Sequence, residues 1–206
     1  MNDRSQYLLK LAKCNVKVDI ANLKVKAKLY GKAIVMGKIV VQENDIPSTS
    51  LAMRSLPHID FADAFKSQLP GNQPQNIDSV TRAIFLKMPE WITGLLELRN
   101  IIVRPLGLKT TIDPNPPSDR DKLKPGVTVG VFEVLDRRLD EIMLGEDDKH
   151  LDYRVSVQLE RQGKACWVIV STVVQFNNWL GRAYFVPVKP VHKIIIPAMM
   201  RYGLEN

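Results

Sequence analysis

Between Leu151 and Glu160 the chain alternates without a break. Leu151, Tyr153, Val155, Val157 and Leu159 take one parity, and Asp152, Arg154, Ser156, Gln158 and Glu160 take the other. A period of two belongs to a strand whose faces meet different surroundings, so this stretch predicts an antiparallel strand with one dry side. Gln162-Gly163 reads as a tight hairpin loop between Arg161 and Lys164. The returning segment, Ala165 to Asn177, is apolar on both parities, as a strand inside a sheet would be. With Arg161 opposite Lys164, Tyr153 faces Thr172, Val155 faces Val170, Val157 faces Val168 and Leu159 faces Cys166. The dry face is then an aliphatic wall carrying one phenol and one hydroxyl.

The segments around this hairpin follow other periods. His58 to Leu69 alternates imperfectly, with acids among Ile59, Phe61 and the Ala64/Phe65 pair, and reads as an edge strand. Pro70-Gly71-Asn72 and Pro74 break it, and Asp78 is placed to cap a helix from Ser79 to about Lys87. Pro89 suits the first turn of a second helix, on which Trp91, Leu95, Leu98 and Ile102 form one apolar stripe until Pro105 and Gly107 stop it. Residues 109–127 are rich in proline and charge with almost nothing to bury, which predicts a long loop: a candidate lid or a surface excursion. Val127, Val129 and Val131 then start a strand, and Leu139 to Leu144 reads as the next. The acids of Gly145-Glu146-Asp147-Asp148 lack calcium-loop spacing and read as a hairpin tip. Pro190 to Tyr202 is helical by pattern, with Val191, Ile194, Ile195, Ala198 and Tyr202 on one side and a kink expected at Pro197. Strand, two helices, antiparallel strands and a closing helix predict an α+β fold and exclude a doubly wound nucleotide fold.

Charge divides the chain. Residues 1–38 carry nine basic and two acidic side chains, which accounts for the whole net charge of +7, while residues 39–206 are formally neutral. The expected organisation is therefore a basic N-terminal extension over 1–38 and a folded domain over 39–206. The extension reads either as a loosely anchored appendage or as an arm that touches phosphate or an anionic surface. At 45% apolar and 25% charged residues the chain can build a core and has no compositional case for global disorder. Its longest uninterrupted apolar run, Ala165 to Val170, is far too short to span a membrane. Cys14 and Cys166 are widely separated with no CxxC, and the N-terminus lacks a signal-peptide pattern, so a reducing, cytoplasmic setting is expected.

Several chemistries are missing. The sequence has no GxGxxG after a strand and no GxxxxGK[ST], HExxH or GxSxG, and His58, His150 and His192 fall in different segments, so neither a metal nor a cofactor is expected. His192 lies one residue off the helical stripe between two prolines, where it could serve as a proton donor or acceptor at a pocket mouth or as a structural hydrogen-bonding group. No carboxylate partner for it can be named. Tyr153 and Thr172 are candidate polar fixtures in a wall formed by Val155 and Val170, faced by Ile195 and Met199 of the helix. Trp91 is a further candidate lining group, Arg99 could receive an anionic ligand group, and Cys166 reads as an inert core thiol.

Three groups of segments carry a resemblance. They are Pro89-Glu90-Trp91 with Leu98-Arg99-Asn100 and Leu106-Gly107-Leu108; Leu151 through Val157; and Leu180-Gly181-Arg182-Ala183-Tyr184-Phe185 with Pro190-Val191-His192. On these, residues from about 43 to 202 resemble a bacterial family of domains of unknown function, number 2867. The resemblance implies a helix-grip fold like that of START and polyketide-cyclase domains, in which a curved antiparallel sheet wraps a long C-terminal helix around an apolar cavity. It also implies an association, in some relatives, with an NAD-dependent epimerase-like protein. It carries over no catalytic residue. Three functions are therefore weighed: binding of a small apolar molecule (lipid, isoprenoid or polyketide-like) between sheet and helix; a cyclase- or dehydratase-type enzyme using His192 or Tyr153 in the same pocket; and binding to nucleic acid or an anionic surface through residues 1–38.

Overall fold

The computed structural model describes residues 39–71, 76–95 and 122–205. The proposed extension over 1–38, Arg99 and most of the predicted loop 109–127 lie outside the described residues. Seven strands form one antiparallel sheet: β1 (Val41–Glu43), β2 (Phe61–Gln68), β3 (Thr128–Val129), β4 (Phe132–Arg137), β5 (Glu141–Asp147), β6 (Leu151–Gln162) and β7 (Ala165–Phe176). Their spatial order is β1-β2-β7-β6-β5-β4-β3. The later strands descend as a meander, and the early β2 pairs with the last strand. Two helical pieces, α1 (Ile77–Leu86) and residues 90–95, follow β2, and the helix α2 (Trp179–Glu205) packs on the sheet and on α1. The α+β class and the long closing helix thus agree with the expectation.

The β6–β7 hairpin shows why one face is dry. Val155, Val157 and Leu159 of β6 and Val168, Val170 and Cys166 of β7 belong to the main core, with Ile77, Val80, Ile84 and Phe85 of α1 and Ile196, Met199, Met200 and Leu204 of α2. The turn, however, is Gly163-Lys164, with Gln162 opposite Ala165. Gly163 holds φ 61°, and the first position of a type II′ hairpin turn demands such a value, so glycine takes that place and not the second. The register moves by two residues. Each side chain keeps its face but changes its opposite number: Val155 faces Thr172, and Tyr153 faces Val174.

Other boundaries also differ from expectation. β2 is not an edge, because the three-residue β1 covers it. The residues from Val127 to Arg137 form two short strands joined by a turn at Gly130, where φ is 66°, in place of one strand over Val127–Val131. Asn76, not Asp78, caps α1 by accepting from the Asp78 N–H. Leu123, inside the expected loop, is fully buried in the core. Trp91 and Leu95 are exposed, and Ile92 is the residue of 90–95 that reaches the core, so over these residues the expected stripe is turned by one position, while Leu98 and Ile102 lie outside the described residues.

The helix α2 begins eleven residues before Pro190 and runs through Pro187, Pro190 and Pro197. Each proline removes one backbone hydrogen bond, at a cost of about 3 kcal/mol in a helix interior. Pro187 and Pro190 lie on the exposed side, as do Ala183 and Val186, whose carbonyls lose their partners and can be met by water. Both ends of the helix are fixed by close approach. A Cβ on Gly181 would collide with the His150 carbonyl, and one on Gly203 with the Ala83 carbonyl of α1. Asn178 accepts from the Leu180 and Gly181 N–H groups and so caps the start.

The opposite face of the sheet is covered by a 3-10 turn at Leu51–Arg54. Its anchor is Glu141, almost fully buried, whose Oε1 accepts from Ser50 Oγ at 2.6 Å, Leu51 N at 2.8 Å and Ser156 Oγ at 2.5 Å. Three donors on one oxygen offset the desolvation of the carboxylate.

Candidate functional site

The inward face of the sheet carries two separate apolar clusters. The main core holds Phe65, Val170 and Ile196. A second one joins Phe61 of β2, Leu151 of β6, Val174 of β7 and Phe185 of α2. Between them on each element lies a polar residue: Asp63 on β2, Thr172 on β7 and His192 on α2.

Strand register and helical period bring these three together. Asp63 shares the parity of Phe61 and Phe65 and is paired with Thr172 across β2 and β7. On α2, His192 follows the buried Phe185 by seven residues and precedes the buried Ile196 by four and Met199 by seven. It therefore lies on the buried stripe, whereas Val191 and Tyr202, expected there, are exposed. The error came from starting the helix at Pro190, which hid Phe185 from the pattern.

His192 Nδ1 lies 3.0 Å from Asp63 Oδ2, with side-chain exposures of 16% and 12%. A carboxylate oxygen only accepts, so Nδ1–H donates, and in the neutral ring Nε2 is left with a lone pair. The imidazole and the Phe61 ring pack in a T-shaped arrangement, with centroids 5.9 Å apart. The second carboxylate oxygen, Asp63 Oδ1, is buried without a hydrogen-bond partner, and so is Thr172 Oγ1 in a residue only 4% exposed. Two unpaired polar atoms thus belong to directly paired residues of adjacent strands, in apolar surroundings and with no hydrogen bond between them. Ser67 Oγ, on the same face beside Val168, is also buried and unpaired.

The expected site residues divide accordingly. Thr172 is paired with Val155 and Asp63 in the sheet, and His192 reaches the same point through Asp63; Val170 and Met199 lie in the adjoining core, with Ile195 packed against its margin. Tyr153 packs against both clusters, its ring 6.1 Å from Phe132, but it faces Val174 and not Thr172. Trp91 is 44% exposed. Asp63 was the residue missed. Its signal was present in the strict alternation Phe61, Asp63, Phe65, obscured by reading Ala64 and Phe65 as one apolar pair.

A surface hollow of about 400 Å³ lies elsewhere, beside the start of α1, lined by Asn76, Asp78, Lys122, Arg137, Leu159 and Arg161 among others. Its acid and base are mutually engaged: Arg137 donates to Asp78 at 2.9 and 3.2 Å and to the Leu123 carbonyl, and Asp78 also accepts from the Leu123 N–H. Burial pushes the Asp78 carboxyl upward, but the Arg137 and Leu123 hydrogen bonds, with the charges of Arg137 and Arg82, outweigh it and hold the group below its ordinary range. This is a structural clasp between α1, β4 and the segment before β3. No three metal-ligating side chains cluster among the described residues, and none of their helices is long and apolar enough to cross a membrane.

Comparison with known proteins gives a family and a distantly similar solved structure. A model of a family described as protein of unknown function, DUF2867, matches residues 55–199. No curated protein matches the chain. Among solved structures, CalU16 from Micromonospora echinospora is similar at 14% identity, over 82% of this chain and 91% of that one, with a TM-score of 0.29.

Proposed function

The chain belongs to the DUF2867 family of proteins of unknown function, and from that premise we propose that it binds a small apolar molecule between the sheet and α2, at the seam where Asp63, Thr172 and His192 meet. One observation carries this reading: Asp63 Oδ1 and Thr172 Oγ1 are buried side by side with no partner. An unpaired buried polar atom costs about 1–3 kcal/mol, and a fold that retains two of them at one point is prepared for something that pairs them. Small-molecule sites have this composition, an apolar wall with a few convergent polar groups. Val155 and Val170, with Tyr153 at the margin, supply the wall on the sheet side, and Ile195 and Met199 supply it on α2. The test is native mass spectrometry of gently purified full-length protein. A co-purifying small-molecule mass is expected in the wild type and lost in His192→Trp, whose larger ring occupies the seam. Bare polypeptide throughout the wild-type spectrum overturns the reading.

A second reading has its own support in the Asp63–His192 pair. A base oriented by a carboxylate, with Nε2 free to take a proton, is the arrangement that a cyclase- or dehydratase-type enzyme requires. A co-purified compound that the protein returns one water lighter would favour it over simple binding.

A further inference from the structure

Resting on the ligand-binding reading, we infer that the ligand carries a hydroxyl group, as an alcohol, enol or phenol, and seats that hydroxyl between Asp63 and Thr172. The argument is one of donor and acceptor count. His192 already engages Asp63 Oδ2, so Oδ1 is the oxygen left for a ligand. As a carboxylate oxygen it can only accept, and so it requires a donor. Thr172 Oγ1 has a proton to give and lone pairs to receive, but it makes no hydrogen bond to Asp63 Oδ1 and is itself unpaired. The two residues are direct cross-strand neighbours, whose Cβ atoms stand roughly 4.5–5.5 Å apart, and a single ligand oxygen can reach both side chains. A hydroxyl completes both at once: its O–H donates to Asp63 Oδ1 while its oxygen accepts from Thr172 Oγ1.

Other polar groups fail the same count. A ketone or ether oxygen accepts from Thr172 but leaves Asp63 Oδ1 unpaired. A carboxylate adds a second negative charge beside Asp63 between Phe61 and Phe65, where little water is left to screen it. An ammonium can donate to both oxygens, but it must shed its hydration between the same rings. Asp63 Oδ1 and Thr172 Oγ1 are themselves closed to solvent, so a ligand reaches them by displacing side chains at the seam, where His192 and Asp63 keep exposures of 16% and 12%.

Four probes of one ring system separate these possibilities: naphthalene, 2-naphthol, 2-naphthoate and 2-naphthylmethylamine, each titrated into the full chain and followed by calorimetry. The expected result is that 2-naphthol binds about tenfold or more tighter than naphthalene, the scale of one hydrogen bond to a charged acceptor. The anionic and cationic probes should bind more weakly than 2-naphthol. In Thr172→Val and in Asp63→Leu the preference for 2-naphthol over naphthalene should fall to within roughly threefold, with naphthalene binding retained. Equal binding of 2-naphthol and naphthalene to the wild type, a preference that survives both substitutions, or tighter binding of either charged probe overturns the hydroxyl assignment alone. Failure of all four probes to bind overturns the binding reading beneath it.

Discussion

Replacing Thr172 by valine keeps a β-branched side chain of nearly the same shape and exchanges one hydroxyl for one methyl. At most positions inside a sheet that exchange breaks a hydrogen bond and costs stability. Here Thr172 Oγ1 is buried and has no partner, so there is no bond to break. The folded protein carries the desolvation of an unpaired hydroxyl, about 1–3 kcal/mol, and valine removes it. The new methyl meets Val155 across β6 and lies near Val170 and Val174 on its own strand, adding a small favourable burial. Side-chain entropy hardly changes, since threonine and valine are both stiff at χ1.

The net expectation for Thr172→Val is a stabilisation of about 1–2 kcal/mol, or a rise in Tm of about 3–6 °C for a chain of this size. Thr172→Ser keeps the orphaned hydroxyl and deletes the methyl, and should lose about 1 kcal/mol. The assay is equilibrium urea unfolding followed by tryptophan fluorescence, on protein refolded from urea to strip any bound molecule, with unchanged slope as the condition for comparing midpoints. A Thr172→Val protein less stable than wild type, or indistinguishable from it, would refute the reasoning. The hydroxyl would then have a partner in the folded state, and the count of unpaired groups that supports the site would drop from two to one.

Two further outcomes test the frame that holds the site. Gly203→Ala should destabilise by about 1–3 kcal/mol in the same unfolding assay, because its Cβ would strike the Ala83 carbonyl and force α2 away from α1. The clasp at Asp78 sets a pH dependence. Its carboxyl titrates lower in the folded chain than in the unfolded one, where the value is about 3.9, so its contribution is fully present above that pH and is lost as pH falls through the folded value. Urea midpoints measured from pH 5 down to 2.5 should therefore fall more steeply for wild type than for Asp78→Asn, which lacks the titrating group and is the less stable of the two at pH 5.

The parts of this fold that were legible in sequence are those fixed by a local period. The alternation from Leu151 to Glu160 placed each residue on its observed face, because a strand's parity survives a register error of two residues. The register itself did not survive. It depended on which turn position Gly163 occupies, and the positive φ required at the first position of this turn decided against the expected pairing of Tyr153 with Thr172. Length mattered as well. β1 has three residues and β3 has two, too few to show a period, so β2 read as an edge and the strand expected at Val127 was carried through the Gly130 turn, with most of β4 left unassigned. In α2 proline was taken as a start signal, although Pro187 and Pro190 lie where the carbonyls they release can reach water. Burial along the 27-residue helix overrode the local rule.

That last misreading also concealed the site, and the reason is physical. A polar side chain on a buried stripe is visible only when the stripe is followed on both sides of it: Phe61 and Phe65 around Asp63, Val170 and Val174 around Thr172, Phe185 and Ile196 around His192. Taken singly, each of the three is an imperfection in its own element. Taken together they interrupt the apolar packing at one level of the fold, and they divide the inward face into the two clusters. An isolated imperfection such as Ser67 Oγ, buried and unpaired opposite Val168, stands singly on its own element. Three at one level, one pair mutually bonded and two atoms left open, form an arrangement that the surrounding packing maintains at a cost in stability. That cost is accounted for if the open atoms are completed by a bound group, and it is the quantity that the Thr172→Val measurement reads directly.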